Sequence, residues 1–125
     1  MTRYDSKVLI VEDERPISEI YQFKLEHEGY EVRVAYNGEE GLEVFESFLP
    51  DLILLDLRMP VMSGDEMLER LRASEKGNSV RVVVLTNISR DEAPPRLRLL
   101  NVDRYIVKAH YTPKQVVEIV GEVLK

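Results

Sequence analysis

Cysteine and tryptophan are both absent from the 125 residues, and glycine and proline number only six each. Without cysteine there is no disulfide framework, thiol nucleophile or zinc-thiolate cluster, a composition suited to a reducing compartment. No apolar run approaches the roughly 18 residues of a membrane span. The opening Met1-Thr2-Arg3-Tyr4-Asp5-Ser6-Lys7 enters a short apolar strand without a cleavage-site pattern. A cytoplasmic location with no membrane contact is expected. Positive charge is also scarce: 17 Lys and Arg against 23 Asp and Glu give a net charge of -6. That balance opposes binding to a phosphate backbone, so no direct contact with nucleic acid is expected. Repeats and low-complexity linkers are missing too, and residues 1–125 read as a single domain. With 44% hydrophobic residues, a chain of this length buries about two-thirds of the surface its unfolded form exposes, enough for a core without staples.

What is present is a regular alternation. Four continuous apolar runs, Val8 to Val11, Leu52 to Leu55, Val82 to Leu85 and Tyr105 to Val107, have the character of buried parallel strands. A fifth, Tyr30 to Ala35, places Val32 and Val34 on one face and Glu31 and Arg33 on the other, as an edge strand does. Between them apolar residues recur at helical spacing: Ile17, Ile20, Tyr21 and Leu25; Leu42, Phe45 and Leu49; Met67, Leu68 and Leu71; Val116, Ile119, Val120 and Val123. Pro16 and Pro113 stand near first-turn positions, Thr112 is a predicted N-cap, and Gly29 follows the first helix. Strand–helix repetition of this kind predicts a three-layer α/β domain, a parallel sheet covered on both faces.

Each buried run ends in a residue capable of chemistry: Glu12 and Asp13 after the first, Asp56 after the second, Thr86 after the third and Lys108 after the fourth. Polar residues at strand ends are ordinary one at a time. Together they are a different matter, because ligands of open parallel sheets bind outside the carboxyl ends of the strands. Three converging carboxylates repel one another unless a cation neutralises them, and an all-oxygen set without His or Cys favours magnesium. Lys108 offers a charge and Thr86 a hydroxyl to phosphoryl oxygens, while a carboxylate such as Asp56 can form an acyl phosphate.

These residues, together with Asp56-Leu57-Arg58-Met59-Pro60-Val61-Met62-Ser63-Gly64, resemble the receiver domain of two-component response regulators, which includes single-domain chemotaxis regulators. The stretch matches the family's Asp-x-x-Met-Pro-x-x-x-Gly pattern, and the likeness covers essentially the whole chain. It implies a doubly wound, flavodoxin-like fold with strand order 2-1-3-4-5 and five surrounding helices. It further implies that Asp56 accepts a phosphoryl group from the phosphohistidine of a sensor histidine kinase or phosphotransfer protein. Magnesium would be held by Asp13, Asp56 and the Arg58 backbone carbonyl, with Glu12 assisting through water. Lys108 would bind the phosphoryl group, and Thr86 would move toward it. Tyr105 would turn from exposed to buried with Thr86, altering the face of the fourth helix, fifth strand and fifth helix. A downstream protein would bind there, or a second copy in a phosphorylation-dependent homodimer.

Three positions depart from the family pattern. Ala109 replaces the proline that usually follows the lysine, often through a cis bond; a cis bond to Ala costs about 3 to 4 kcal/mol, so either that strain is kept or the loop carries Lys108 differently. Pro94 and Pro95 lie where the fourth helix begins, so that helix should start late or be irregular before them. Asn101 stands where relatives often have Gly, which Asn can replace in a left-handed conformation. The Arg96, Arg98 and Arg104 cluster reads as a solvated face, and His27 and His110 as surface histidines. Met59 and Met62, flanking Pro60, read as loop packing.

The expected role is a switch rather than a turnover enzyme. Other readings are a phosphorylation-independent interaction module, which Ala109 leaves open, and a magnesium-dependent aspartyl-phosphate phosphohydrolase. The latter would need an acid two positions after the nucleophile, where Arg58 stands. A flavodoxin-like nucleotide binder would need a Gly-rich phosphate loop where Glu12 and Asp13 stand. The opening Met1 favours a stand-alone regulator over an excised N-terminal receiver.

Overall fold

The computed structural model describes residues 6–125; Met1 and the four residues after it lie outside them. Five parallel strands, β1 (Lys7–Val11), β2 (Glu31–Ala35), β3 (Leu52–Leu55), β4 (Arg81–Thr86) and β5 (Arg104–Val107), form one sheet in the order β2-β1-β3-β4-β5. This is the doubly wound, flavodoxin-like arrangement expected. Val8 pairs with Val32 on one side and Leu52 on the other, so the chain's direction across the sheet reverses at β1 and β3.

Alternation along the strands divides the apolar interior into two layers. Leu9, Val11, Ile53, Leu55, Val82 and Val84 pack with Phe45 and Phe48 of α2 (Gly38–Phe48) and Met67, Leu68 and Leu71 of α3 (Gly64–Arg72). Val8, Ile10, Leu52, Leu54, Val83, Leu85 and Ile106 pack instead with Tyr21 and Leu25 of α1 (Arg15–His27) and Val116, Val120 and Val123 of α4 (Pro113–Val123). Ile20 and Leu49 depart from the predicted apolar faces, being 47% and 48% exposed. Leu49 is the left-handed C-cap of α2, with φ 50°, which takes it off the helical stripe.

Helix ends follow the sequence signals. Thr112 and Gln115 form a reciprocal capping box before α4, Asn37 accepts from the Glu40 amide at 2.9 Å, and Gly29 makes its turn at φ 101°. The implied fifth helix is missing: four α-helices are present among the described residues, and the stretch between β4 and β5 makes only short 3-10 turns at Arg90–Glu92 and Pro95–Leu99. The two prolines explain it. A residue before proline is pushed out of the α region. Ala93 before Pro94 and Pro94 before Pro95 accordingly take extended ψ values of 146° and 130°, which split the segment. Asn101 then adopts φ 52°, the left-handed conformation anticipated for it. Arg72 closes the far end, donating to the carbonyls of Leu100, Asn101, Gly77 and Val80 at 2.7 to 3.0 Å.

The loop after β3 is tightly specified. A Cβ on Gly64 would lie 2.0 Å from the Asp56 carbonyl oxygen, so only glycine lets α3 start so close to that strand. Gly64→Ala is expected to destabilise the fold by about 3 kcal/mol through overpacking, read as a fall in the urea midpoint. In the same loop the Met62 amide donates to the Pro60 carbonyl at 2.7 Å, leaving Val61 at the apex of a γ-turn with φ 68° and 75% exposed. A β-branched residue is strained there and gains little burial. Val61→Gly is expected to stabilise the chain by about 1 kcal/mol, and an unchanged midpoint would contradict that strain.

Candidate functional site

The reversal of strand order brings the ends of β1 and β3 side by side, with β4 and β5 following outward. Glu12, Asp13 and Asp56 each place a carboxylate oxygen within 4.8 Å of the others. Glu12 and Asp56 are buried, at 3% and 7% exposure, and Asp13 is half-buried. Lys108, just beyond β5, reaches across with Nζ 2.5 Å from Glu12 Oε1 and 3.4 Å from Asp56 Oδ2.

The two Asp56 oxygens have different surroundings. Oδ1 accepts from the Leu57 amide at 2.7 Å and the Arg58 amide at 3.4 Å, while Oδ2 faces Lys108. Glu12 divides its oxygens similarly, Oε1 to Lys108 and Oε2 to the Glu14 amide at 3.1 Å. Arg58 itself is exposed, and its backbone lies at the carboxylate through its amide. Three carboxylates against one ammonium leave an excess of negative charge in a partly desolvated place. Their oxygen donors fit a hard divalent cation that retains several waters.

Thr86 ends β4 with 1% exposure, and its Oγ1 accepts from the Ile88 amide at 3.4 Å. Tyr105 is half-buried on β5, and its hydroxyl donates to the Ile88 carbonyl at 2.7 Å. Both side chains therefore hold backbone atoms of one residue. Burial raises the Tyr105 hydroxyl above its ordinary value, with Arg90 over the ring opposing the shift. The Lys108–Ala109 bond is trans, as are all described peptide bonds, and Lys108 opens a 3-10 turn to His110. The loop thus carries the lysine differently, yet its ammonium still reaches both carboxylates.

The Arg cluster is exposed, as its sequence reading expected, but two of its members are paired. Arg96 bridges Asp65 and Glu69 of α3, Arg104 pairs with Glu122 of α4 at 3.2 Å, and Arg98 is exposed. Sequence reading did not find the Arg96 bridge or the Arg72 knot. An i, i+4 acidic pair on α3 was the available signal for the first, but carbonyl ligands leave no mark in a sequence. A groove of about 880 Å³ lies away from the acidic cluster, between α1 and α4, where Phe23, His27 and Val117 contribute to its walls.

Burial pushes the Glu12 carboxyl up to about 7, against the opposing Lys108 and Glu14 hydrogen bonds and with the Asp56 charge adding to the rise. For Lys108 burial works downward, but the Glu12 hydrogen bond and the Asp56 and Glu12 charges outweigh it and raise the ammonium. Between 4.5, the ordinary value for Glu12, and about 7 the folded chain holds this proton more firmly than the unfolded chain. The Glu12 contribution to stability therefore falls as pH rises through that window. In chelated protein, the melting-temperature difference between wild type and Glu12→Gln should shift against wild type over this range; a constant difference would contradict the linkage.

Comparison with known proteins agrees with this geometry. Residues 8–120 match the family model described as the response regulator receiver domain. The transcriptional regulatory protein YkoG of Bacillus subtilis is 39% identical over 103 residues, covering 81% of this chain and 43% of that protein. The phosphate regulon transcriptional regulatory protein PhoB of Rhizobium meliloti is 36% identical over 110 residues, covering 86% and 48%. The chain thus spans about half the length of these curated relatives. Among solved structures, the chemotaxis response regulator CheY4 of Vibrio cholerae superimposes with a TM-score of 0.85 at 27% identity, covering 94% of this chain and 98% of that one. The strand order, the acidic edge with its lysine, and a family match over nearly the whole length make this chain a member of the response regulator receiver domain family of two-component signalling.

Proposed function

We propose that the chain is one receiver unit that takes a phosphoryl group onto Asp56 from the phosphohistidine of a sensor kinase or phosphotransfer protein. The observation that carries this reading is the asymmetry of the Asp56 carboxylate. Two backbone amides occupy Oδ1, so Oδ2, on the Lys108 side, is the oxygen that bonds phosphorus. As that P–O bond forms, the P–N bond to the donor imidazole breaks and the electron pair leaves with the imidazole.

Magnesium, held by Asp13, Asp56 and the Arg58 carbonyl with Glu12 assisting, would supply charge neutralisation to the phosphoryl oxygens. Lys108 exchanges its carboxylate partners for a phosphoryl oxygen. The Thr86 hydroxyl turns from the Ile88 amide to another, which loosens the residue that Tyr105 holds from the other side. The output face is then the 88–101 segment, β5 and α4. It binds a downstream protein or a second phosphorylated copy, as a population shift.

The role is that of a cytoplasmic switch, not of a turnover enzyme; the chain has no acid at Arg58 for a phosphohydrolase. Its relatives of about twice the length are transcriptional regulators. With a net charge of -6, contact with DNA belongs outside this chain.

Intact mass after incubation with acetyl phosphate and magnesium should show one phosphoryl adduct. The adduct should vanish with chelator and in Asp56→Asn, and Lys108→Ala should form it at least tenfold more slowly, consistent with loss of a charge-assisted contact. Absence of any adduct from acetyl phosphate and from a panel of phosphorylated kinases would instead make the chain a phosphorylation-independent interaction module.

A further inference from the structure

The segment between β4 and β5 has no α-helix, yet it is tied down at three points. Tyr105 holds its entry at the Ile88 carbonyl, and Arg72 holds its exit at the Leu100 and Asn101 carbonyls. Arg96 holds the middle: its Nε donates to Asp65 Oδ2 at 2.8 Å and its Nη1 to Glu69 Oε1 at 2.9 Å. Asp65 and Glu69 are four residues apart on α3, so one guanidinium spans two carboxylates of one helix face. The Asp65 side chain is only 10% exposed, against 41% for Arg96, so the bridge reaches a shielded carboxylate. An ion pair with one shielded partner depends on its geometry more than a fully solvated pair does.

Asp65 is the second residue of α3, and the first, Gly64, is pressed against the Asp56 backbone. The Gly64 amide donates to the Leu57 carbonyl at 3.0 Å, and the Leu57 amide donates to Asp56 Oδ1. A continuous path therefore runs from the Asp56 carboxylate through Leu57, Gly64 and Asp65 to Arg96. It shares no residue with the Thr86–Ile88–Tyr105 route beyond Asp56 itself.

We propose that the bridge from Arg96 to Asp65 and Glu69 is a latch that holds the 95–99 turn in its resting position and couples it to Asp56 through the first turn of α3. This rests on the phosphoacceptor reading above. Forming the acyl phosphate at Oδ2 leaves Oδ1 a neutral carbonyl oxygen and places the negative charge on the phosphoryl oxygens, which weakens the hold of Oδ1 on the Leu57 and Arg58 amides and frees the start of α3 to move. The closed latch accompanies Lys108 lying on Glu12 and Asp56, an arrangement that phosphorylation of Asp56 would break. By linkage, opening the latch must then tighten binding of a phosphoryl mimic by the same factor that the mimic loosens the latch.

Beryllofluoride titration of magnesium-loaded protein tests this in wild type, Arg96→Gln, Asp65→Asn and the double variant. Arg96→Gln is expected to bind about fivefold more tightly. The double variant should match Arg96→Gln alone, because Asp65→Asn has no bridge left to remove once the guanidinium is gone, while Asp65→Asn alone should fall between it and wild type, and Arg96→Lys should recover part of the wild-type affinity. Affinities within twofold of wild type, or weaker binding, would overturn the latch. Amide hydrogen exchange on metal-free protein gives a second reading. Arg96→Gln should speed exchange at Leu97 and Leu100 and also at Leu57 and Gly64; acceleration confined to the 95–100 stretch overturns the coupling. Should wild type fail to bind beryllofluoride, the phosphoacceptor reading falls, and the exchange pattern alone still decides for or against the latch.

Discussion

Three carboxylates gathered within 4.8 Å, with a single ammonium to oppose them, are the constraint around which the rest of this chain is organised. Gathering like charges costs free energy, and the fold meets that cost with backbone rather than with more side-chain cations. The Leu57, Arg58 and Glu14 amides are turned onto the carboxylates, which requires a sharp loop after β3 and an immediate helix start after β1. Gly64 permits the first of these by letting α3 begin against Asp56. An arrangement whose charge is only partly balanced has a stake in whatever arrives to complete the balance.

Much of this was legible before any coordinates. Continuous β-branched and aliphatic runs identify β1, β3 and β4 as buried strands because both faces are covered, whereas the run read as a fourth buried strand, β5, is the other sheet edge with only Ile106 buried; the five polar residues that follow these runs converge once the strands are parallel. The edge character of β2 followed from its alternation, and Thr112 caps α4 as predicted, with the structure adding Gln115 as its reciprocal partner. Ile20 and Leu49 were misplaced because helical spacing gives a stripe but not its width, and a left-handed C-cap ends the stripe early. The roles proposed for individual residues rest on the family likeness, whereas their convergence follows from strand order.

The segment between β4 and β5 shows where local chemistry outweighs the family pattern. Tandem prolines predicted an irregular start, but their effect reaches further, because each restricts the residue before it and the pair leaves too short a stretch for an α-helix before Asn101 turns left-handed. What the segment loses in helical hydrogen bonds it recovers in part from two arginines. Arg72 collects four carbonyls, and burial lowers its guanidinium from the ordinary value, while Arg96 ties the turn to α3. Neither role is written in the periodicity of the chain, since both depend on which loop ends meet in space.

The division of the interior into two apolar layers also bears on how such a chain can change over generations. Even-numbered positions of β1 and β3 face α1 and α4, odd-numbered ones face α2 and α3, and the hydrogen-bonded sheet lies between them. The sheet separates the side chains of the two layers, so the costs of replacements in different layers are expected to add rather than compound. One layer can drift to suit a new partner while the other stays as it was. The strand-end residues Glu12, Asp56, Thr86 and Lys108 lie outside both apolar clusters, so the polar edge can be inherited intact while the surfaces around it diverge.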